Sequence, residues 1–309
     1  MKSVAVVGCG SIGAAHAAAW QKVSGASLDC CMDNDVENAR RLAGETGSVA
    51  LDNIRALPGS VDIVSVTTPP STHYEITKYL LENGLHVFCE KPLTMNLTRG
   101  EELGRLAEKK KLKLGVGFKM RYEPAFQKAK ECAGRLGKIY QVQTYKIQRH
   151  APYADKPWIS ETGALFELSI HDFDLVHYIL GTRPVEILDA RFSHRLGWKK
   201  PDGFQMHVRY ENDAMGSLCG LYTENVVTRQ QDFSLTAAGR NGDMLIVRNH
   251  GVRLRTDSIE FFEETGRPDT FALELRDFLD CVLTGDPVPI GAREANDATW
   301  VALGKPGKR

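Results

Sequence analysis

The chain has 309 residues, 42% of them hydrophobic, with 39 Lys+Arg against 39 Asp+Glu and a formal net charge of zero. That length exceeds one usual domain and suffices for two cores, and the balanced charge gives no field to collect nucleic acid or anionic lipid, so a small molecule is the expected ligand. No apolar run can cross a bilayer, the N-terminus has no charged n-region or cleavage site, and the seven cysteines form no CxxC pair, so a cytoplasmic protein with no metal site and no membrane partner is expected.

The first half alternates strands and helices. VAVVG (Val4–Gly8) is a short apolar run suited to a strand buried on both faces, and Ile12–Val23 follows as a helix. SLDCCMD (Ser27–Asp33) is the second strand and Asp35–Glu45 the second helix. VDIVSVTTPP (Val61–Pro70) is a strand stopped by two prolines, after which Ser71 or Thr72 caps a helix running through Asn83. Gly84 ends that helix; LHVFCEKP (Leu85–Pro92), the amphipathic helix Asn96–Lys111 and LKLGVGF (Leu112–Phe118) complete the series. This order predicts a parallel doubly wound sheet.

Beyond Glu123 strand-like runs follow one another: QVQTYKIQ, VEILDARF, DGFQMHVRY, MGSLCGLY, QDFSLTAAG, DMLIVRN and GVRLRT. In DGFQMHVRY, Phe204, Met206, Val208 and Tyr210 alternate with Gln205, His207 and Arg209, as in an antiparallel sheet with one buried face. The fold class is therefore α/β: an N-terminal Rossmann doubly wound sheet over residues 1–122, then an α+β domain over 123–309 with a large, mostly antiparallel open sheet. The tail Lys305–Arg309 reads as frayed, since Gly304, Pro306 and Gly307 break the helix begun by ANDATWVALG.

Gly8, Gly10 and Gly13 fit G-x-G-x-x-G between the first strand and the first helix. The first glycine permits the tight turn, the second lets a pyrophosphate approach the backbone, and the third packs helix on strand. Asp33 closes the second strand twenty residues after Gly13, where a carboxylate accepts from an adenosine ribose and repels a 2′-phosphate. NAD is expected over NADP. The alternative reading of Asp33 is a helix cap.

HVFCEKP (His86–Pro92) and the Thr68, Pro69, His73 register of VTTPPSTHYE resemble the E-K-P and T-P-x-x-x-H motifs of the Gfo/Idh/MocA oxidoreductases, the glucose-fructose oxidoreductase and inositol dehydrogenase family. The resemblance continues through GVGFKMRYEPAF, GRLGKIYQV and GALFELSIHDFDLVHYILG, and HDFDLVHYILG is similar to the inositol dehydrogenase branch. It implies hydride transfer between a sugar or polyol secondary alcohol and nicotinamide. It also implies pyrophosphate contacts around Ser11 and Ile12, contacts of Thr67, Thr68 and Pro69 on the nicotinamide ribose side, and a ribose contact from Glu90. A homodimer or homotetramer built on the second-domain sheet is expected.

Oxidising a secondary alcohol needs a group that takes the hydroxyl proton as hydride leaves, and imidazole titrates near neutrality. His171 is the candidate base, with Glu167 four residues earlier on the same face if Phe166–Tyr178 is one helix; the family usually has Asp there. Lys91, in the family's catalytic lysine position, stabilises alkoxide character. The bland alternatives are an exposed Glu90–Lys91 ion pair and a structural His171. Asp172 is read as a first-turn polar residue, and Asp174 as a contact of substrate or His171. Arg121 and Tyr122 are a substrate-side segment or an interdomain strut, and Lys156 belongs to a substrate loop, Ala151–Trp158. His73 braces the loop under the nicotinamide, and the remaining histidines are structural. The competing functions are a nucleotide-sugar 3-dehydrogenase, which needs a basic cleft such as Arg149 and Lys156 could serve, and a nonenzymatic NAD-binding regulator, which has no need of Lys91 together with His171.

Overall fold

The computed structural model describes residues 1–150, 156–224, 232–240, 244–248, 251–256, 260–264, 266 and 268–309. They form two compact units, Met1–Lys119 with Asp269–Asn296, and Met120–Pro268 with Asp297–Arg309. The sequence division at 122/123 places residues 269–296 in the second domain. The structure counts them with the first, because Leu275, Phe278 and Leu279 join its core beside Val6, Trp20 and Phe88.

The first unit is built from β1 (Lys2–Val7), α1 (Ser11–Trp20), β2 (Ala26–Met32), α2 (Val36–Thr46), β3 (Val49–Leu51), β4 (Ile63–Val66), α3 (His73–Glu82), β5 (His86–Glu90), α4 (Leu97–Lys110) and β6 (Leu114–Gly117). The six strands lie in the order β3-β2-β1-β4-β5-β6 and every pairing is parallel. β4 and β6 are buried at every position, which explains their uninterrupted runs of apolar and small residues. Trp20 is buried against this sheet and donates its indole N–H to Ser65 Oγ at 2.8 Å. Asp35 caps α2 by accepting from Glu37 N, and Asn96 caps α4 by accepting from Arg99 N. The expected Thr72 cap does not form. A 3-10 turn, Pro70–Thr72, precedes α3, and the Thr72 hydroxyl turns back to Thr68 Oγ1 and Pro69 O.

The second unit begins with α5 (Pro124–Ala133), β7 (Ile139–Arg149), α6 (Trp158–Gly163), a π-helical turn (Ala164–Leu168) and α7 (Ile170–Leu180). The strands β8 (Pro184–Ser193), β9 (Gly203–Tyr210), β10 (Met215–Thr223), β11 (Asp232–Gly239), β12 (Met244–Arg248), β13 (Gly251–Arg255) and β14 (Glu260–Glu264) follow. The chain ends with α8 (Thr270–Thr284), α9 (Ala292–Ala302) and β15 (Gly307–Lys308). Nine strands form one sheet, β14-β13-β12-β11-β7-β10-β9-β8-β15, antiparallel except for the β7/β10 pair. The alternation in β9 holds: Phe204, Met206, Val208 and Tyr210 are buried, whereas Gln205 and His207 are exposed.

Two sequence expectations are corrected here. The tail is not frayed, because Gly307–Lys308 pairs with β8, Arg309 N donates to Val185 O, and the Arg309 guanidinium binds Asp297 at 2.6 Å. Phe166–Tyr178 is not one helix either: Ser169, at φ −107° and ψ 2°, separates the π turn carrying Glu167 from α7 carrying His171. The i,i+4 argument for those two residues therefore does not apply.

Candidate active site

At the carboxyl end of the parallel sheet three loops are tied together. Gly8 has φ +97°, and a Cβ there would meet Thr68 N at 2.8 Å; a Cβ on Gly13 would lie 1.9 Å from Gly8 O. The first and third glycines are thus required by the protein's own packing. Gly10 differs, since a Cβ there meets nothing within 4 Å. The room above Gly10 suits an approaching pyrophosphate, and α1 begins beside it at Ser11 and Ile12 with no side-chain cap and no acidic residue in its first turn. Thr67 Oγ1 donates to Gly8 O at 2.7 Å, which joins the loop after β4, with Thr67, Thr68 and Pro69, to the glycine turn.

Asp33 is half-buried just after β2. Its carboxylate accepts Cys9 N–H at 2.7 Å and Asp35 N–H at 2.9 Å, one on each oxygen, and retains lone pairs for a ribose hydroxyl. The cap reading fails, because Asp35 caps α2. These residues fit a dinucleotide.

Glu90 ends β5 and Lys91 follows. Glu90 is buried, its Oε1 lies 3.0 Å from His16 Nε2, and its Oε2 accepts Lys91 N–H at 3.0 Å, so it is not half of an exposed ion pair. Burial opposes ionisation, but the His16 hydrogen bond and the charges of Lys91 and Lys119 hold its carboxyl below the usual range. Gly117 makes room, as a Cβ there would stand 2.9 Å from Glu90 Oε1. His73 is buried with Nδ1 2.7 Å from Pro92 O and Nε2 2.8 Å from Thr68 O, which braces the loops after β4 and β5. Burial lowers its pKa, against the pull of both carbonyls.

In the second unit His171 and Asp174 lie on α7, and Tyr122 is buried at the end of the 3-10 turn Lys119–Tyr122. Arg121 makes two parallel hydrogen bonds to Asp174, Nε to Oδ2 at 2.7 Å and the terminal nitrogen to Oδ1 at 2.5 Å. The structure thus brings together two residues that the sequence placed separately on the substrate side. Lys156 is half-buried, and residues 151–155 of its loop, Tyr153 and Asp155 among them, lie outside the described residues.

Residues 2–118 match the family model described as "Oxidoreductase family, NAD-binding Rossmann fold", and residues 126–245 match "GFO/IDH/MocA C-terminal domain". The chain belongs to the Gfo/Idh/MocA oxidoreductases. Its cofactor is NAD. A myo-inositol dehydrogenase of Streptomyces leeuwenhoekii is 35% identical over 191 residues, a match covering 60% of this chain and 58% of that relative. The scyllo-inositol 2-dehydrogenase (NAD(+)) of Bacillus subtilis is 29% identical over 302 residues, 91% of this chain and 86% of the relative. Among solved structures, the UDP-N-acetylglucosamine 3-dehydrogenase of Acidithiobacillus ferrooxidans superposes with a TM-score of 0.86 at 23% identity, over 98% of this chain and 96% of that one, and shares its fold.

Sequence reasoning missed two buried clusters. Asp172 is no solvated first-turn residue: it is fully buried and paired with Lys146 at 3.2 Å, and Lys146 also donates to Leu168 O at 2.8 Å. Burial raises the Asp172 pKa, opposed by the Lys146 charge. The period of β7 carried the signal, because Lys146 shares its parity with the buried Val142 and Thr144. His16 and Glu274, beside Glu90, form the second cluster. Among the described residues no helix is long and apolar enough to cross a membrane.

Proposed function

We propose that this Gfo/Idh/MocA protein is an NAD-dependent dehydrogenase of a sugar or polyol, with an inositol-like secondary alcohol as substrate. The supporting observation is the convergence of the glycine turn, Thr67–Pro69 and Glu90–Lys91 at the carboxyl ends of β1, β4 and β5, where open parallel sheets hold their ligands. The inositol dehydrogenases among its relatives support the substrate class. NAD, when bound, supplies the hydride acceptor. Glu90 fixes the Lys91 backbone through its amide, and the Lys91 ammonium holds the substrate oxygen and stabilises alkoxide character as hydride leaves. His171 takes the hydroxyl proton, and Glu167 stands on the adjoining π turn. Arg121, held flat by Asp174, Tyr122 and Lys156 complete the substrate side. Asp33 binds the adenosine ribose.

A homodimer or homotetramer fits the outward face of the nine-stranded sheet, where Tyr145 stands beside Cys219 and Ile147 beside Leu221 on paired strands, with Tyr145 43% exposed. Light scattering in solution measures this. All seven cysteines are free thiols, which supports a reducing cytoplasm. The function is tested by absorbance of reduced nicotinamide with NAD against inositols, aldoses and nucleotide sugars, in wild type and Lys91→Ala. Turnover of a free polyol that disappears in the variant is expected. Turnover of nucleotide sugars alone overturns the substrate assignment, and NAD binding without any turnover overturns the enzyme assignment.

A further inference from the structure

Beside the end of β5 the first unit buries three titratable side chains from three elements: His16 of α1, Glu90 of β5 and Glu274 of α8, at 0%, 8% and 1% exposure. Their nitrogen and oxygen atoms all lie within 4.8 Å of one another. One hydrogen bond, His16 to Glu90, joins them. Both oxygens of Glu274 and Nδ1 of His16 lack a hydrogen-bond partner among the described residues. Lys119, its ammonium 4.0 Å over the Phe271 ring, faces the cluster from beyond β6, and Lys91 and His73 face Glu90.

Two carboxylates this close in a buried place do not both ionise. Glu90 has donors for its anion, from His16 and the Lys91 amide, whereas Glu274 has none. The proton therefore resides on Glu274. Burial and then the Glu90 charge drive its carboxyl well above the usual range, with only Lys119 opposing.

We propose that Glu274 is a proton-holding partner of Glu90 through which the site discriminates oxidised from reduced dinucleotide. The proposal rests on the reading above that Glu90 faces the cofactor. Oxidised nicotinamide carries a positive charge that the reduced ring lacks. That charge favours the doubly ionised pair, so Glu274 gives its proton to solvent when NAD+ binds and keeps it when NADH binds. By linkage, NAD+ affinity rises with pH and NADH affinity does not. The same donor set suits a divalent cation by composition. The geometry favours the proton, because His16 Nε2 is already engaged by Glu90 and Nδ1 lacks the outer hydrogen bond that orients a metal-ligating imidazole.

The test is calorimetric titration of NAD+ and of NADH between about pH 6 and 9, a range set by the documented pKa values of buried glutamates, in two buffers of different ionisation enthalpy. Wild type should release protons with NAD+ only, and its NAD+/NADH affinity ratio should rise about tenfold across the range. Glu274→Gln should lose both the release and the slope while still binding both dinucleotides, and Glu274→Met serves the same purpose if the amide variant fails to fold. Proton release that persists unchanged in these variants overturns the inference and leaves the cofactor assignment intact. No dinucleotide binding in wild type overturns both. A zinc-dependent rise in wild-type melting temperature that chelator reverses and Glu274→Gln abolishes gives the cluster to a cation and also overturns it.

Discussion

Gly10 and Gly13 sit three residues apart in one turn, yet substitution by alanine should separate binding from folding. At Gly13 the new Cβ would lie 1.9 Å from Gly8 O and 2.9 Å from Gly8 C, both backbone atoms that cannot swing away. The helix must move off the strand, and overpacking of this kind costs about 1–3 kcal/mol or more. At Gly10 the φ is −75° and nothing lies within 4 Å of the added carbon, so alanine is tolerated and restricting the unfolded chain stabilises by about 0.4–1 kcal/mol. The open space is what the pyrophosphate needs. Gly10→Ala should therefore keep or slightly raise the melting temperature while weakening NAD at least tenfold, about 1.4 kcal/mol. Gly13→Ala should melt several degrees lower. Thermal unfolding paired with NAD calorimetry reads both. A Gly10→Ala protein that binds NAD like wild type would show that no phosphate approaches this turn.

Three further outcomes follow from the buried charges and from Asp33, the proposed ribose acceptor. Asp33→Ala removes the acceptor of two backbone N–H groups and should cost about 1–3 kcal/mol of stability, and it should lower the NAD:NADP affinity ratio about tenfold or more in competition binding. Asp174→Asn breaks a fork-shaped ion pair with side chains 1% and 12% exposed, so denaturant unfolding should show a loss of about 3–5 kcal/mol, with the double variant Arg121→Met/Asp174→Leu losing less. Burial depresses the His177 pKa to about 3 from 6.5, so its neutral form supports the fold above pH 6.5 and that support is lost as pH falls towards 3. His177→Phe should shift acid unfolding to lower pH, and an unshifted acid limb refutes the assignment.

Five of the six strands of the first unit were legible because each is a short apolar run between turn residues, and Asp35 and Asn96 do the capping their residue types suggest; β3 was missed, being three partly exposed residues at the sheet edge with too short a pattern to read. Thr72 misled because its hydroxyl had a nearer partner in Thr68. The return of α8 to the first unit was not legible, since nothing in its amphipathic pattern says which core receives Leu275, Phe278 and Leu279. The break at Ser169 was invisible for a related reason. GALFELSIHDF is apolar and helical by composition, and the π turn is closed by the Ser169 amide donating to Ala164 O and by Gly163 at φ +62° packed on Pro201, which are tertiary facts. Sequence reading named the candidate residues that motifs carry and overlooked the polar residues that only burial marks. Lys146 could have been found from strand parity, and Glu274 from its place next to Leu275 on the stripe that continues through Phe278 and Leu279.

Both units bury a polar cluster: His16, Glu90 and Glu274 next to Lys91, and Lys146 with Asp172, where Lys146 also binds Leu168 O ahead of α7. Neither arrangement is the most stable choice for a core, because desolvating such groups costs several kcal/mol per ion before pairing returns any of it. An apolar replacement of the Lys146–Asp172 pair, Lys146→Met with Asp172→Leu, should therefore fold at least as well as either single variant. If the pair serves only the fold, the double variant should also keep its turnover. If it fixes the junction of the π turn and α7, through the Lys146 bond to Leu168 O, the stable double variant should lose kcat and show a displaced pH profile, since His171, the proposed base, then sits on a helix whose start is no longer fixed. Measuring melting temperature and the pH dependence of kcat on the same double variant separates the two, and a stable protein with an unchanged profile refutes a role for the Lys146 bond to Leu168 O in setting the start of α7.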